Sequence, residues 1–282
     1  MRPDGSIALK NRIPTPREDY GSSVKAVVDL VNDFERELGQ KAVVGMGIPG
    51  TISPHTNRIK NANSTWLNGT FFARDLEEAL ERPLKVENDA NCFALSEARD
   101  GAARGAPVVF GVIIGTGTGG GIVVDGRVLG GANAIGGEWG HNPLPLPTKD
   151  DLPLPDCYCG RKGCIETFLS GPGLSRDYEG MTGRKLEPPV VVKLANGGED
   201  EAEEALAHYE DRMARGLASV INLLDPDVIV LGGGLSNVDR LYTNVPTLWS
   251  RYIFSDHVST RLVKAEHGDA SGVRGAAWLW ER

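Results

Sequence analysis

Three cysteines, Cys157, Cys159 and Cys164, fall within eight residues as Cys-Tyr-Cys-Gly-Arg-Lys-Gly-Cys, and His141 stands a short way upstream. Three thiolates and an imidazole are ligand types that zinc prefers, and four of them close a tetrahedral site with no open position. The expected ion is therefore a structural Zn2+ on His141, Cys157, Cys159 and Cys164. It would pin a segment that carries five prolines between 143 and 155 and can form neither helix nor central strand. The alternative, buried reduced thiols beside a surface histidine, needs no ion. Cys92 stands apart and reads as a small core residue. Glu138 precedes His141 by three residues and Glu166 follows Cys164 by two. One metal would thus orient two carboxylates, a pair suited to a hydroxyl-rich ligand.

Asp89, in Glu87-Asn88-Asp89-Ala90-Asn91, sits where a strand should meet a helix. A carboxylate there can take a proton from a substrate hydroxyl, or accept backbone amides as a helix cap. Asn88 beside it suits a polyol. Gly115–Gly121 (GTGTGGG) lacks Cβ atoms where amides would approach phosphate oxygens, and a tight hairpin accounts for the same glycines. It matches neither the Walker A loop nor the dinucleotide fingerprint. Gly232-Gly233-Gly234, after the apolar run Val228–Leu231, is a second such turn, placed where open α/β sheets bind ligands. A plain strand-to-helix turn explains it equally, but two glycine turns together favour a nucleotide.

These residues need elements to hold them. Apolar positions at steps of three and four predict helices over 24–38, capped by Gly39, and over 201–224, ended by Asp225-Pro226. Shorter helices are expected at 75–82, 90–104 and 271–280, with a helical stretch after Gly234. Strands are expected at 42–48, 84–86, 108–114, 122–124, 128–129, 228–231 and 261–265. Alternating strands and helices predict an α/β architecture with parallel or mixed sheets in two lobes.

The 282 residues allow one large domain or two modest ones, and 40% hydrophobic content supports a core. Glycine is the outlier, at 36 residues, yet no collagen or Gly/Pro period accompanies it, so fibrous and disordered classes are excluded. A net charge of -8 has the wrong sign for coating phosphates, so no nucleic acid is expected as partner. No apolar run approaches a membrane span and the N-terminus lacks a signal-peptide core. With clustered thiols, these features predict a cytoplasmic protein in a reducing compartment.

VGMGIPG, ENDAN, IGTGTGGG, GGEWGH, CYCGRKGCIE and VIVLGGGLSN, in that order, resemble the ROK family of sugar kinases and repressors along nearly the whole chain. KNANSTWLNG (60–69) and HGDASGVRGAAWLW (267–280) are similar to the bacterial fructokinases of the manno(fructo)kinase type. The resemblance implies an actin-like (ribonuclease H-like) two-lobed fold. A small α/β lobe would span 1–106, completed by a helix over 271–282, and a larger one 107–270 with a zinc loop at 141–166. Asp89 would be the catalytic base, with Asn63, Asn88, Glu138, His141 and Glu166 holding sugar hydroxyls. His141 would give one nitrogen to zinc and the other to the sugar. Gly115, Thr116 and Gly117 would receive ATP phosphates, with Gly233 and Gly234 near the adenosine and Mg2+ bridging the phosphates.

The implied reaction is ATP-dependent phosphorylation of a hexose at the 6-position, with fructose or mannose first and N-acetylglucosamine or glucose as alternatives. A homodimer is implied as well. Members of the family begin with a strand and a D-x-G-x-T-K turn that touches Mg2+ and phosphate. Here Ile7–Pro16 resembles the element after it, so the resemblance implies an N-terminally truncated fold, through a misassigned start, a clipped chain or a genuine shortening. In the last case a non-catalytic sugar-binding protein is the alternative. The repressor branch requires a DNA-binding segment ahead of the sugar domain, and none is seen.

Overall fold

A computed structural model describes residues 1–280. Asp19 caps α1 (Tyr20–Leu38) by accepting from the Ser22 amide at 3.0 Å, and Gly39 ends it in the left-handed conformation. The helix starts ahead of the expected residue 24, because its first turn carries no apolar stripe to read. β1 (Val44–Ile48) pairs in parallel with β4 (Leu84–Asn88), and β2 (Thr51–Ile52) with β3 (Ile59–Lys60) forms a small antiparallel ribbon. α2 (Phe72–Leu80) buries Phe72, Leu76 and Leu80. Phe72 and Leu76 join Ile48, Ile59, Leu67 and Leu84 in one apolar cluster, with Val24, Val27 and Val28 of α1 against it.

α3 (Asp89–Arg99) is buried at nine of its eleven residues, as a helix covered on both sides must be. One side meets a mixed sheet ordered β7-β6-β5-β8-β9. Its strands are β5 (Val108–Ile114), β6 (Thr118–Val124), β7 (Arg127–Val128), β8 (Val228–Gly232) and β9 (Arg261–Lys264). Side chains alternate between its faces. Val109, Val123, Val228 and Val230 pack on α3. Phe110, Val112, Ile229 and Leu231 pack on the opposite layer. That layer holds α4 (Ile165–Leu169), α5 (Gly171–Thr182), α6 (Pro188–Asn196), α7 (Asp200–Leu224) and α8 (Leu241–Leu248).

The other side of α3 is closed by α9 (Ser271–Trp278), which also packs on β1. Trp280 Nε1 donates to the Val44 carbonyl at 2.7 Å. Glu97, fully buried on α3, accepts from the amides of Ala102 (3.0 Å), Glu266 (3.0 Å) and His267 (3.3 Å) and from Ser271 Oγ (2.8 Å). A buried carboxylate is tolerable only with such partners, and here they fasten the end of α3 to the start of α9.

Three expectations change. The helix expected over 90–104 stops at Arg99 and continues as turns. The helix expected over 271–282 ends at Trp278, and its last two positions, 281 and 282, lie outside the described residues. The proline-rich segment does not depend on a metal alone. Asp151 within it accepts from Arg212 Nε at 2.7 Å and Arg215 Nη1 at 2.9 Å, all three side chains being at most 4% exposed. Arg215 also donates to the carbonyls of Pro145 and Leu146. The loop is thus tied to α7 by a buried ion network.

Candidate functional site

Asp89 is the first residue of α3, and the cap before it is Asn88, whose Oδ1 accepts from Ala90 N at 2.9 Å and Asn91 N at 3.3 Å. The capping alternative for Asp89 therefore gives way: Asn88 does that work and leaves the Asp89 carboxylate facing the site, with one bond, from Ala90 N to Oδ1 at 2.8 Å. Desolvation by the surrounding protein raises the Asp89 pKa from its ordinary value, against the lowering effect of the Ala90 amide and its own. Asn88 is largely committed to structure, since its Nδ2 also donates to the Gly50 carbonyl at 2.9 Å.

α3 can bring Asp89 this close because β6 lacks side chains along its first half. A Cβ on Gly121 would sit 2.5 Å from the Ala90 carbonyl, and one on Gly120 would sit 2.9 Å from both the Gly137 carbonyl and Trp139. The expected seven-residue glycine turn therefore splits in two. Gly115–Gly117 is the turn, and Gly119–Gly121 belong to a strand on which Asp89 and the Glu138 loop are both seated.

Glu138 precedes the single turn Trp139–His141 instead of lying on a helix face with His141. Desolvation raises its pKa first, His141 and Lys60 lower it, and the charges of Asp89 and Glu166 raise it further. Asp89, Glu166, His141 and Lys60 are thus near enough to Glu138 for their charges to act on it. Lys60 was not singled out from the sequence; its Nζ donates to the Asn133 carbonyl at 2.7 Å, tying β3 to the loop before Glu138. Glu166 opens α4 and accepts from the Thr118 amide at 2.9 Å. A Cβ on Gly117 would lie 2.5 Å from its Oε2, so the glycine turn and the carboxylate fit together. Asn63 is exposed on the segment after β3.

His141, Cys157, Cys159 and Cys164 converge, with one ligand atom from each within 4.8 Å of the others. His141 Nδ1 is 3.5 Å from Cys157 Sγ, and Cys159 Sγ is 3.6 Å from Cys164 Sγ. A tetrahedral zinc with bonds of about 2.3 Å spaces its thiolates about 3.8 Å apart, so the four residues fit one ion. Bonds from Leu144 N to the Gly163 carbonyl and from Ile165 N to the Asn142 carbonyl, both 2.8 Å, hold the His141 segment against Cys164. His141 Nε2 lies 2.8 Å from the Tyr158 hydroxyl. That residue was visible between two cysteines but carried no expectation.

The turns at the ends of β5 and β8 meet, since a Cβ on Gly233 would lie 2.5 Å from the Ile114 carbonyl. Beside them opens a cavity of about 860 Å³ lined by Gly115, Thr116 and Gly234 together with Lys185, Pro188 and Val192. Arg176, Glu179 and Glu187 also line it, so charged and apolar walls meet beyond the glycine mouth.

The profile of the ROK family matches residues 1–282. The chain belongs to the ROK family. It is 41% identical over 274 residues to an N-acetyl-D-glucosamine kinase of Pectobacterium carotovorum, covering 96% of this chain and 90% of that one. A ROK hexokinase from Thermus thermophilus superposes with a TM-score of 0.83 at 34% identity, over 94% of this chain and 87% of that one. A ROK glucokinase from Streptomyces griseus, crystallised with glucose and AMPPNP, gives 0.76 at 25% identity over 99% and 93%. The fold is the actin-like α/β fold of the ROK sugar kinases, and the protein is an enzyme of that kind, a phosphotransferase. The Pectobacterium relative is named for N-acetylglucosamine and not for fructose, which moves the weight from the fructokinase resemblance to its alternative. No described helix is long and apolar enough to cross a membrane.

Proposed function

We propose that this protein transfers the γ-phosphoryl group of ATP to the 6-hydroxyl of a hexose, with N-acetylglucosamine as the preferred sugar. The observation that carries the reading is Asp89. It is a carboxylate at the start of α3, freed from capping and exposed, whose pKa is raised by desolvation and whose charge is felt by Glu138. Such a base takes the hydroxyl proton as the oxygen attacks, while the other carboxylates and Asn63 hold the remaining hydroxyls. We read residues 1–106 with α9 as one lobe and 107–270 as the other, supported by separate apolar clusters around Leu76 and around Leu217. The sugar then lies at the shared wall, α3.

The 860 Å³ cavity would take the nucleotide, its phosphates at Gly115, Thr116 and Gly117 and its adenosine near Gly233 and Gly234. Transfer between oxygens asks mainly for alignment and charge neutralisation, and Mg2+ carried on the phosphates supplies the latter. Zinc on His141, Cys157, Cys159 and Cys164 would hold the loop that ends in Glu166, as a closed site does, and take no part in the reaction. The cytoplasmic setting and a homodimer stay with this reading; light scattering reports the second.

An ADP-release assay with N-acetylglucosamine, glucose, mannose and fructose tests it. The highest kcat/KM is expected with N-acetylglucosamine. A higher value with fructose would return the fructokinase reading, and no turnover with any of the four would overturn the kinase assignment of this chain.

A further inference from the structure

Tyr158 stands between two of the four clustered ligands, so its backbone is held while its side chain is not. The residue is 83% exposed, in a chain whose other tyrosines are covered wholly or in part. Its ring rests edge-on against His141, with centroids 5.0 Å apart and planes at 87°. Its hydroxyl is 2.8 Å from His141 Nε2, while Nδ1 faces Cys157 Sγ. With Nδ1 turned to the cysteines, Nε2 is the one nitrogen of His141 open to a sugar, and the phenol already occupies it.

We propose that Tyr158 determines sugar specificity as an internal competitor: its hydroxyl holds His141 Nε2 in the place of a sugar hydroxyl, and a sugar binds there only by displacing it. This rests on the sugar site proposed above. The exchange trades one hydrogen bond for another, so a sugar hydroxyl wins only where the rest of the ring is held by the neighbouring carboxylates. A sugar unable to present a hydroxyl to Nε2 leaves the phenol where it is and is disfavoured against one that can. The ring is exposed, so it can leave His141 without uncovering the apolar core.

Tyr158→Phe keeps the ring and removes the competitor. A typical net hydrogen bond corresponds to about fivefold in an equilibrium constant. Sugar Kd by calorimetry and KM are therefore expected to fall about fivefold in the variant, with kcat unchanged and the bound-zinc content of the purified protein equal to that of the unaltered chain. That split between KM and kcat is not what a loosened loop produces, since loosening would raise KM and lower metal content. A Kd that stays within twofold or rises overturns the proposal alone. Failure of the unaltered protein to bind any of the four hexoses overturns both this proposal and the kinase reading beneath it.

Discussion

Asp89 combines two demands that pull against each other. Desolvation raises its pKa, so the folded state holds the proton more tightly than the unfolded chain, whose value is near 3.8. The sign follows directly: the contribution to stability is fullest below that unfolded value and is lost as pH rises through the folded one. At neutral pH the ionised base therefore costs stability, and Asp89→Asn should raise Tm while leaving sugar binding intact and reducing kcat by several orders of magnitude, about 10³-fold or more as expected for a lost general base. Retention of most of the activity would exclude Asp89 as the base. Activity itself runs the other way in pH. It should fall on acidification, with the limb displaced upward from that of a free aspartate, because the base must be ionised. Glu138 is raised by desolvation as well, so sugar binding followed against pH in Asp89→Asn should retain an acidic limb to which Glu138 contributes.

The elements differ in how openly they were written in the sequence. α7 and β8 announce themselves by period and by an unbroken Val-Ile-Val-Leu run. α4, α5 and α6 do not, because Gly171–Pro189 carries glycines and prolines that mask the apolar spacing, even though Pro188 simply occupies the first turn of α6. The cap on α3 was legible as a choice between neighbours, and only coordinates show that Asn88 takes it. The ion network on the proline-rich loop was invisible, since Asp151 and its arginines are more than 60 positions apart. That network carries its own prediction. Arg215 and Arg212 hold Asp151 down to about 2, so its stabilisation is present above 3.8 and lost as pH falls toward about 2. Asp151→Ala removes the carboxylate shared by two buried guanidiniums, leaving Arg212 with Asp177 and Arg215 with Asp211, and should cost roughly 1–3 kcal/mol, read from denaturant unfolding. A loss under 1 kcal/mol would mean that the loop is held elsewhere.

Across the whole molecule the sugar site is assembled from segments that owe their places to different supports. Asp89 depends on α3 and β6, Glu138 on the loop tied to Lys60, and Glu166 on the cysteine cluster and the Thr118 amide. Chelation of the metal should therefore raise sugar KM severalfold, on the order of tenfold as for lost support around a site. Circular dichroism should stay nearly unchanged, because the apolar clusters do not pass through the cysteines. Global unfolding on chelation would show instead that the metal supports the entire fold.

The placement of α9 also has a meaning for how the chain is made. β1 and α3 are finished only when α9 lies against them, and Val44 and Trp280, which bond to each other, are 236 positions apart. At synthesis rates of roughly 5–20 residues per second, β1 waits roughly 10–50 s after it is made before its covering helix exists. Through that interval the side of β1 that α9 will cover stays open to the cell, so a strand made early is among the last to be protected from misassociation.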